Sequence, residues 1–192
     1  MGQLEWGFKS YANKIARETR EELGLSSAAP LNPWALADFL GIPVIPLSVL
    51  KDEAPEAVRQ LRVRDRGAFS AVTVFNGFRR MIVVNDAHSR GRQASNVAHE
   101  LAHSLLQHRP APAFDGEEGR RWDAAQEAEA EWLAGALLIS DEAAVSIVRE
   151  GLPQVQAARL YGVSIDMVRF RLNVTGARTR VERARRRRRR PS

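Results

Sequence analysis

The chain has 192 residues and no cysteine, 44% of its residues are apolar, and 29 Lys+Arg against 23 Asp+Glu give a net charge of +6. That size and apolar share suit one ordinary globular domain with at most a small appendage, and the missing cysteine excludes a disulfide framework, a Cys-based zinc finger and a thiol nucleophile. The longest strongly apolar stretch, Ile42 to Leu50, has nine residues, far short of the roughly 20 a membrane span needs, and Met1 to Arg20 has no apolar signal-peptide core; the expectation is a soluble, cytoplasmic protein with no membrane partner.

Leu4 to Leu23 reads as a helix with Leu4, Phe8, Tyr11, Ile15 and Ala16 inward, stopped by Gly24. Asn32 is placed to cap a second helix with Pro33 at its first position, and Gly41 ends it. Val44 to Leu47 reads as a short strand, whereas the charged stretch Lys51 to Arg66 follows no single period. Phe69–Phe75 and Phe78–Val84 are β-rich runs separated by Asn76-Gly77, the residues a tight hairpin turn favours. A helix follows from Ser89 or Ser95 to Gln107. Pro110, Pro112, Gly116 and Gly119 mark a loop, and Trp122 to Ile139 is helical again. Asp141–Glu150, Pro153–Tyr161 and Ile165–Val174 make three shorter helices, the last capped by Ser164. The pattern predicts an α+β fold: a small antiparallel sheet with packed helices and a helical C-terminal part. It divides into a helical and strand segment (1–66), a central core (67–140), a helix-turn-helix-like segment (141–176) and a disordered Arg-rich tail (177–192).

His99-Glu100-Leu101-Ala102-His103 is an H-E-x-x-H string. On a helix, residues four apart lie on one face, so two imidazoles can share one metal ion and the Glu beside the first can reach a water held there. The flanks support a helix: Ala94, Val97, Ala98, Leu101 and Leu105 repeat as a buried stripe that leaves both histidines off the apolar face. A catalytic zinc site needs a third protein ligand. A His six residues past His103 is excluded, because position 109 is Arg. His108 lies about 140° around the wheel and is a minor candidate. The next helix offers Glu127, Glu129 and Glu131. Glu127 is the preferred ligand, Glu131, one turn on, would accept from a ligating imidazole N–H, and Glu129 is the reserve.

These segments resemble the ImmA/IrrE family of zinc metallopeptidases. Met81-Ile82-Val83-Val84-Asn85 resembles the strand that precedes that family's active-site helix. Ser95 to Leu106 resembles its A-H-E-L-x-H-x-L-L helix, and Glu127 to Leu138 its E-x-E-A-x-x-F-A-x-x-L-L helix. Gly162-Val163-Ser164 with Arg171-Leu172 resembles its closing segment. Leu133 replaces the usual Phe, and Ile139-Ser140 the usual Met-Pro. The resemblance implies a thermolysin-like endopeptidase with one Zn²⁺ per chain on His99, His103 and Glu127, and with Glu100 as general base. Its substrate would be a helix-turn-helix repressor, whose removal derepresses stress-response or mobile-element genes. Tyr161, Arg169 and His108 are possible oxyanion donors, and the sequence does not choose among them.

Two other readings stand beside this one. Gln154 to Leu172 has the small, turn and core residues of a helix-turn-helix, with Asp166, Met167, Arg169 and Arg171 on the second helix. From Arg178 onward the chain has nine Arg and one Glu, while the remainder carries a net −2. The run Arg185, Arg186, Arg187, Arg188, Arg189 and Arg190 suits a non-specific nucleic-acid contact or a solubilising end. The chain could therefore be a DNA-binding regulator, or a zinc-binding regulator without proteolysis.

Overall fold

The structure, a computed structural model, describes residues 4–77, 79–108 and 123–188. The expected loop from Pro110 to Gly119, the helix start at Trp122, the strand residue Phe78, and Arg189 and Arg190 lie outside them. Helix α1 (Phe8–Glu22) turns Phe8, Ala12, Ala16, Thr19 and Arg20 inward, whereas Tyr11, expected inside, is 53% exposed. Helix α2 (Pro33–Phe39) starts as its sequence dictates. The Asn32 side chain accepts from the Trp34 backbone N–H at 3.0 Å, and Pro33 fills a position where a helix has no use for an N–H.

Strand β1 (Val44–Pro46) leads into a 3-10 turn (Leu47–Lys51), helix α3 (Pro55–Arg59) and a π turn (Gln60–Arg64). This charged stretch is fixed by distant contacts. Leu47 and Val58 pack with Val83. The buried Asn85 amide donates to the carbonyls of Leu61 and Phe69. Arg62 reaches Asp86 at 3.0 Å. Burial alone would raise the Asp86 carboxyl; hydrogen bonds from Ser48 and the Arg62 charge outweigh it and hold the group below its ordinary range.

Strands β2 (Ala71–Asn76) and β3 (Arg79–Val84) form the expected antiparallel hairpin, and β1 joins β3 in parallel, giving the order β1-β3-β2. Asn76 pairs with Arg79. Asn76 therefore closes the strand, and the positive φ, 60°, falls on Gly77; the reversal comes one residue later than the Asn-Gly pair predicts. Helices α4 (Arg90–Leu105) and α5 (Ala124–Leu138) pack along each other in the main core. They contribute Val97, Ala98 and Leu101 from one side and Ala130, Leu133 and Leu137 from the other.

The C-terminal end of α5 is buried, and its last carbonyls need donors. Two buried arginines supply them. Arg20 donates to Ala136 O (3.4 Å) and Leu137 O (2.7 Å), and Arg171 donates through Nε to Ile139 O (2.8 Å) while pairing with Asp141 at 3.1 Å. Burial pulls each guanidinium down to about 10, so both remain charged near neutrality and complement the negative end of the helix dipole.

Helices α6 (Asp141–Glu150), α7 (Gln154–Tyr161) and α8 (Ile165–Val174) match their expected spans closely, with Ser140 and Ser164 capping α6 and α8. The turn between α7 and α8 lies against the first turn of α4: a Cβ on Gly91 would sit 2.8 Å from the Val163 carbonyl carbon and 2.9 Å from Ser164 N. Both neighbours are backbone and cannot swing aside. Gly91→Ala is expected to lower stability by about 1–3 kcal/mol, read as a shifted denaturation midpoint at unchanged slope.

Residues 177–188, expected to be disordered, form helix α9 (Ala177–Arg188). Three effects favour it. Arginine is a good helix former, cations suit the last turns of a helix, and Ala177 and Val181 are buried. Arg180 pairs with Asp141 at the start of α6, and Arg185 donates to Arg149 O at its end, so α9 runs alongside α6 in the same direction. Among the described residues no helix is long and apolar enough to cross a membrane.

Candidate metal centre

The apolar stripe of α4 faces the core and leaves His99, Glu100 and His103 half-buried on its flank. Helix α5 begins where the Asp123 side chain accepts from the N–H groups of Ala125 (2.9 Å) and Gln126 (3.3 Å). That cap places Glu127 in the first turn of α5, opposite the two histidines. His99 Nε2 lies 3.1 Å from His103 Nε2 and 3.1 Å from Glu127 Oε2, and His103 Nε2 lies 3.5 Å from Glu127 Oε1.

Two imidazole nitrogens and a carboxylate aimed at one point suit a divalent cation. Ligand atoms at about 2.0–2.1 Å from a tetrahedral zinc stand about 3.3 Å apart, close to the spacings seen here. Among the described residues His99, His103 and Glu127 are the group of His and acidic side chains that could hold a metal ion. All three were expected from the sequence, and they come together.

Glu100 is outside this trio, and the Thr73 hydroxyl donates to its Oε2 at 2.6 Å. Thr73 sits mid-strand in β2, and nothing in its sequence setting marks it; only the packing of α4 under the hairpin brings the two together. On the general-base role the family resemblance implies for Glu100, Thr73→Val is expected to reduce kcat about tenfold with little change in KM, since a hydrogen bond to a charged group is worth about 1.5–3 kcal/mol. Thr73→Ser should keep most of the activity.

The remaining expectations are partly redistributed. Glu131, expected to accept from a ligand imidazole, is exposed, because the buried side of α5 passes through Ala130, Trp132 and Leu133. Its place is taken by the reserve pair. With His103 Nε2 aimed at the shared centre, its Nδ1–H donates to His108 Nδ1 at 2.9 Å, and His108 Nε2–H donates to Glu129 Oε2 at 3.1 Å. His108 and Glu129 thus stand behind His103 and orient its ring. Gln107, at φ 56°, breaks the helical course just before His108, and this is why the wheel angle fails to place that residue.

Of the possible oxyanion donors, Tyr161 donates to Ala28 O and Arg169 to Asp166. Ala28 neighbours Ser27, whose carbonyl accepts from Ser140 beyond the far end of α5. Arg171, expected on a nucleic-acid surface, is fully buried and bonded to Ile139 O and Asp141; an ending helix with unsatisfied carbonyls has claimed it. Arg185, Arg186, Arg187 and Arg188 are exposed along α9.

Residues 40–173 match the Peptidase_M78 family model, described as the IrrE N-terminal-like domain. The matched span includes α4, α5 and the turn packed on Gly91, and it stops before α9. No curated protein and no solved structure matches the chain significantly.

Proposed function

The chain belongs to the IrrE N-terminal-like family of peptidases, and on that premise we propose that it is a zinc-dependent endopeptidase acting on a helix-turn-helix repressor. The observation that carries the reading is the convergence of His99, His103 and Glu127 within 4.8 Å of one another, with Glu100 next in sequence and held by Thr73. Two imidazoles and one carboxylate are a donor set that suits zinc. When bound, zinc supplies a Lewis acid that polarises a peptide carbonyl.

The chain's own residues supply the rest. Glu100 accepts a proton from the attacking water and returns it to the leaving amine. The Thr73 hydroxyl fixes which oxygen of that carboxylate is free for the transfer. The His103–His108–Glu129 chain keeps His103 in the tautomer whose Nε2 lone pair faces the centre. Among the described residues strand β2 is the outer strand of the sheet, next to β3 alone, so an extended peptide can pair with its outer edge and run past Thr73 and Glu100. An open depression beside His108 and Glu129, with exposed Trp6 and Tyr11 at its rim, lies next to the centre and can receive a substrate side chain.

The reading is tested by incubating the purified chain with a candidate helix-turn-helix repressor from the same genome. Discrete fragments are expected with zinc, none after chelation, and fragments again when one equivalent of zinc is returned. A zinc-loaded chain that binds the repressor and leaves it intact would instead be a metal-dependent regulator. Derepression in cells of the genes that repressor controls, abolished by the same loss of zinc, would tie the cleavage to transcription.

A further inference from the structure

We infer that α9 is a sequence-independent contact surface for the phosphate backbone of a nucleic-acid duplex, separate from the metal centre and from the helix-turn-helix-like segment. The electrostatic ground is the division of charge. Nine Arg and one Glu lie from Arg178 onward, on a chain whose remainder has a net charge of −2. Folding sharpens this by arranging the guanidiniums on a rod. Ala177 and Val181 are the buried residues of α9, and Arg180 and Arg185 are spent on Asp141 and Arg149 O. Arg178, Arg183, Arg186, Arg187 and Arg188 are exposed, and none has an acidic partner among the described residues. Arg183, Arg186 and Arg187 are spaced i, i+3, i+4, so they share one face, turned away from the buried side.

The neighbouring helices decide what kind of recognition this is. A reading helix would offer free side chains to base edges. On α8, Arg171 is buried and Arg169 is paired at 2.8 Å with Asp166, an acid in the first turn that would repel phosphates. Base reading is therefore disfavoured, and attraction to phosphate is what α9 provides. A lipid surface fits less well. A helix that lies in a membrane interface needs a free apolar face; of the three apolar residues of α9, Ala177 and Val181 are already buried in the protein and Ala184 alone is exposed.

The test is fluorescence anisotropy of the full chain with a labelled 20-base-pair DNA duplex of arbitrary sequence, across a series of salt concentrations. Binding is expected to be the same for a scrambled duplex, with log K falling against log salt at a slope of about −3 to −5 for three to five phosphates neutralised. The triple variant Arg183→Gln, Arg186→Gln, Arg187→Gln should flatten that slope by about 2 to 3 and weaken binding about tenfold or more at low salt. The matching triple Lys variant should restore both, which separates charge from folding. The inference is overturned by absence of binding at about 50 mM salt, by a Gln triple that binds as the native chain does, or by a complex with one sequence that survives excess competitor DNA. It is equally overturned if phosphatidylserine vesicles bind α9 in an Arg-dependent way and the duplex does not. None of these outcomes depends on peptidase activity.

Discussion

Glu100→Gln is expected to lower the rate of peptide cleavage by about 10²–10⁴-fold, the usual contribution of a positioned general base, while the protein keeps one zinc per chain. The amide has the shape of the carboxylate and can still accept from the Thr73 hydroxyl, so the fold and the hairpin contact survive. What it cannot do is take a proton from water. Because Glu100 is outside the His99–His103–Glu127 group, its loss should leave metal content and substrate KM nearly unchanged. Steady-state cleavage of a peptide, with zinc measured by elemental analysis on the same sample, reads both quantities. A variant that cleaves normally removes Glu100 from its role; one that loses its zinc means the carboxylate helps to hold the metal. Thr73 acts through Glu100, so Thr73→Val added to Glu100→Gln should cost almost nothing further, although each alone is harmful. That non-additivity is the signature of two residues serving one step.

What the sequence reveals and what it conceals divides along physical lines. Periodic features are legible. The stripe Ala94, Val97, Ala98 and Leu101 fixes which way α4 faces, and the four-residue spacing of His99 and His103 then puts both rings at one place. Caps are legible too: Asn32 and Ser164 each accept the backbone N–H groups that their chemistry suits. Residues whose role is set by a distant partner are not. Arg20 looks like one more cation on a charged helix, yet it is buried because α5 ends beside it. Arg171 has the position of a DNA-contacting residue and serves as the second donor to that same end. Thr73 needs the hairpin laid over α4 before its hydroxyl means anything. The Arg-rich segment misleads in the other direction. A run of like charge suggests disorder, but two small apolar residues one turn apart and two arginines satisfied along α6 suffice to hold a helix there.

The proposed third metal ligand can be told from its neighbours, because three glutamates at alternate positions give three different expected outcomes. Glu127→Ala is expected to abolish stoichiometric zinc binding: it removes the carboxylate that lies 3.1 Å from His99 Nε2 and 3.5 Å from His103 Nε2, leaving two imidazoles where a catalytic zinc site needs three protein ligands. Glu129→Ala should keep the metal with about 10- to 100-fold weaker affinity, the usual cost of losing a group behind a ligand, because Glu129 Oε2 is engaged by His108 and holds His103 only through it. Glu131→Ala should change neither affinity nor activity, since its exposed side chain is outside the group that could hold the ion. Zinc competition against a coloured chelator ranks the three variants on one scale. An order in which Glu129→Ala loses the ion and Glu127→Ala keeps it would move the ligand two residues along α5, and would require that helix to turn by about 160° against α4, since two residues advance about 200° around its axis. The burial of Ala130, Leu133 and Leu137 in the core shared with α4 opposes that rotation, so the packing of the core and the identity of the proposed ligand stand or fall together.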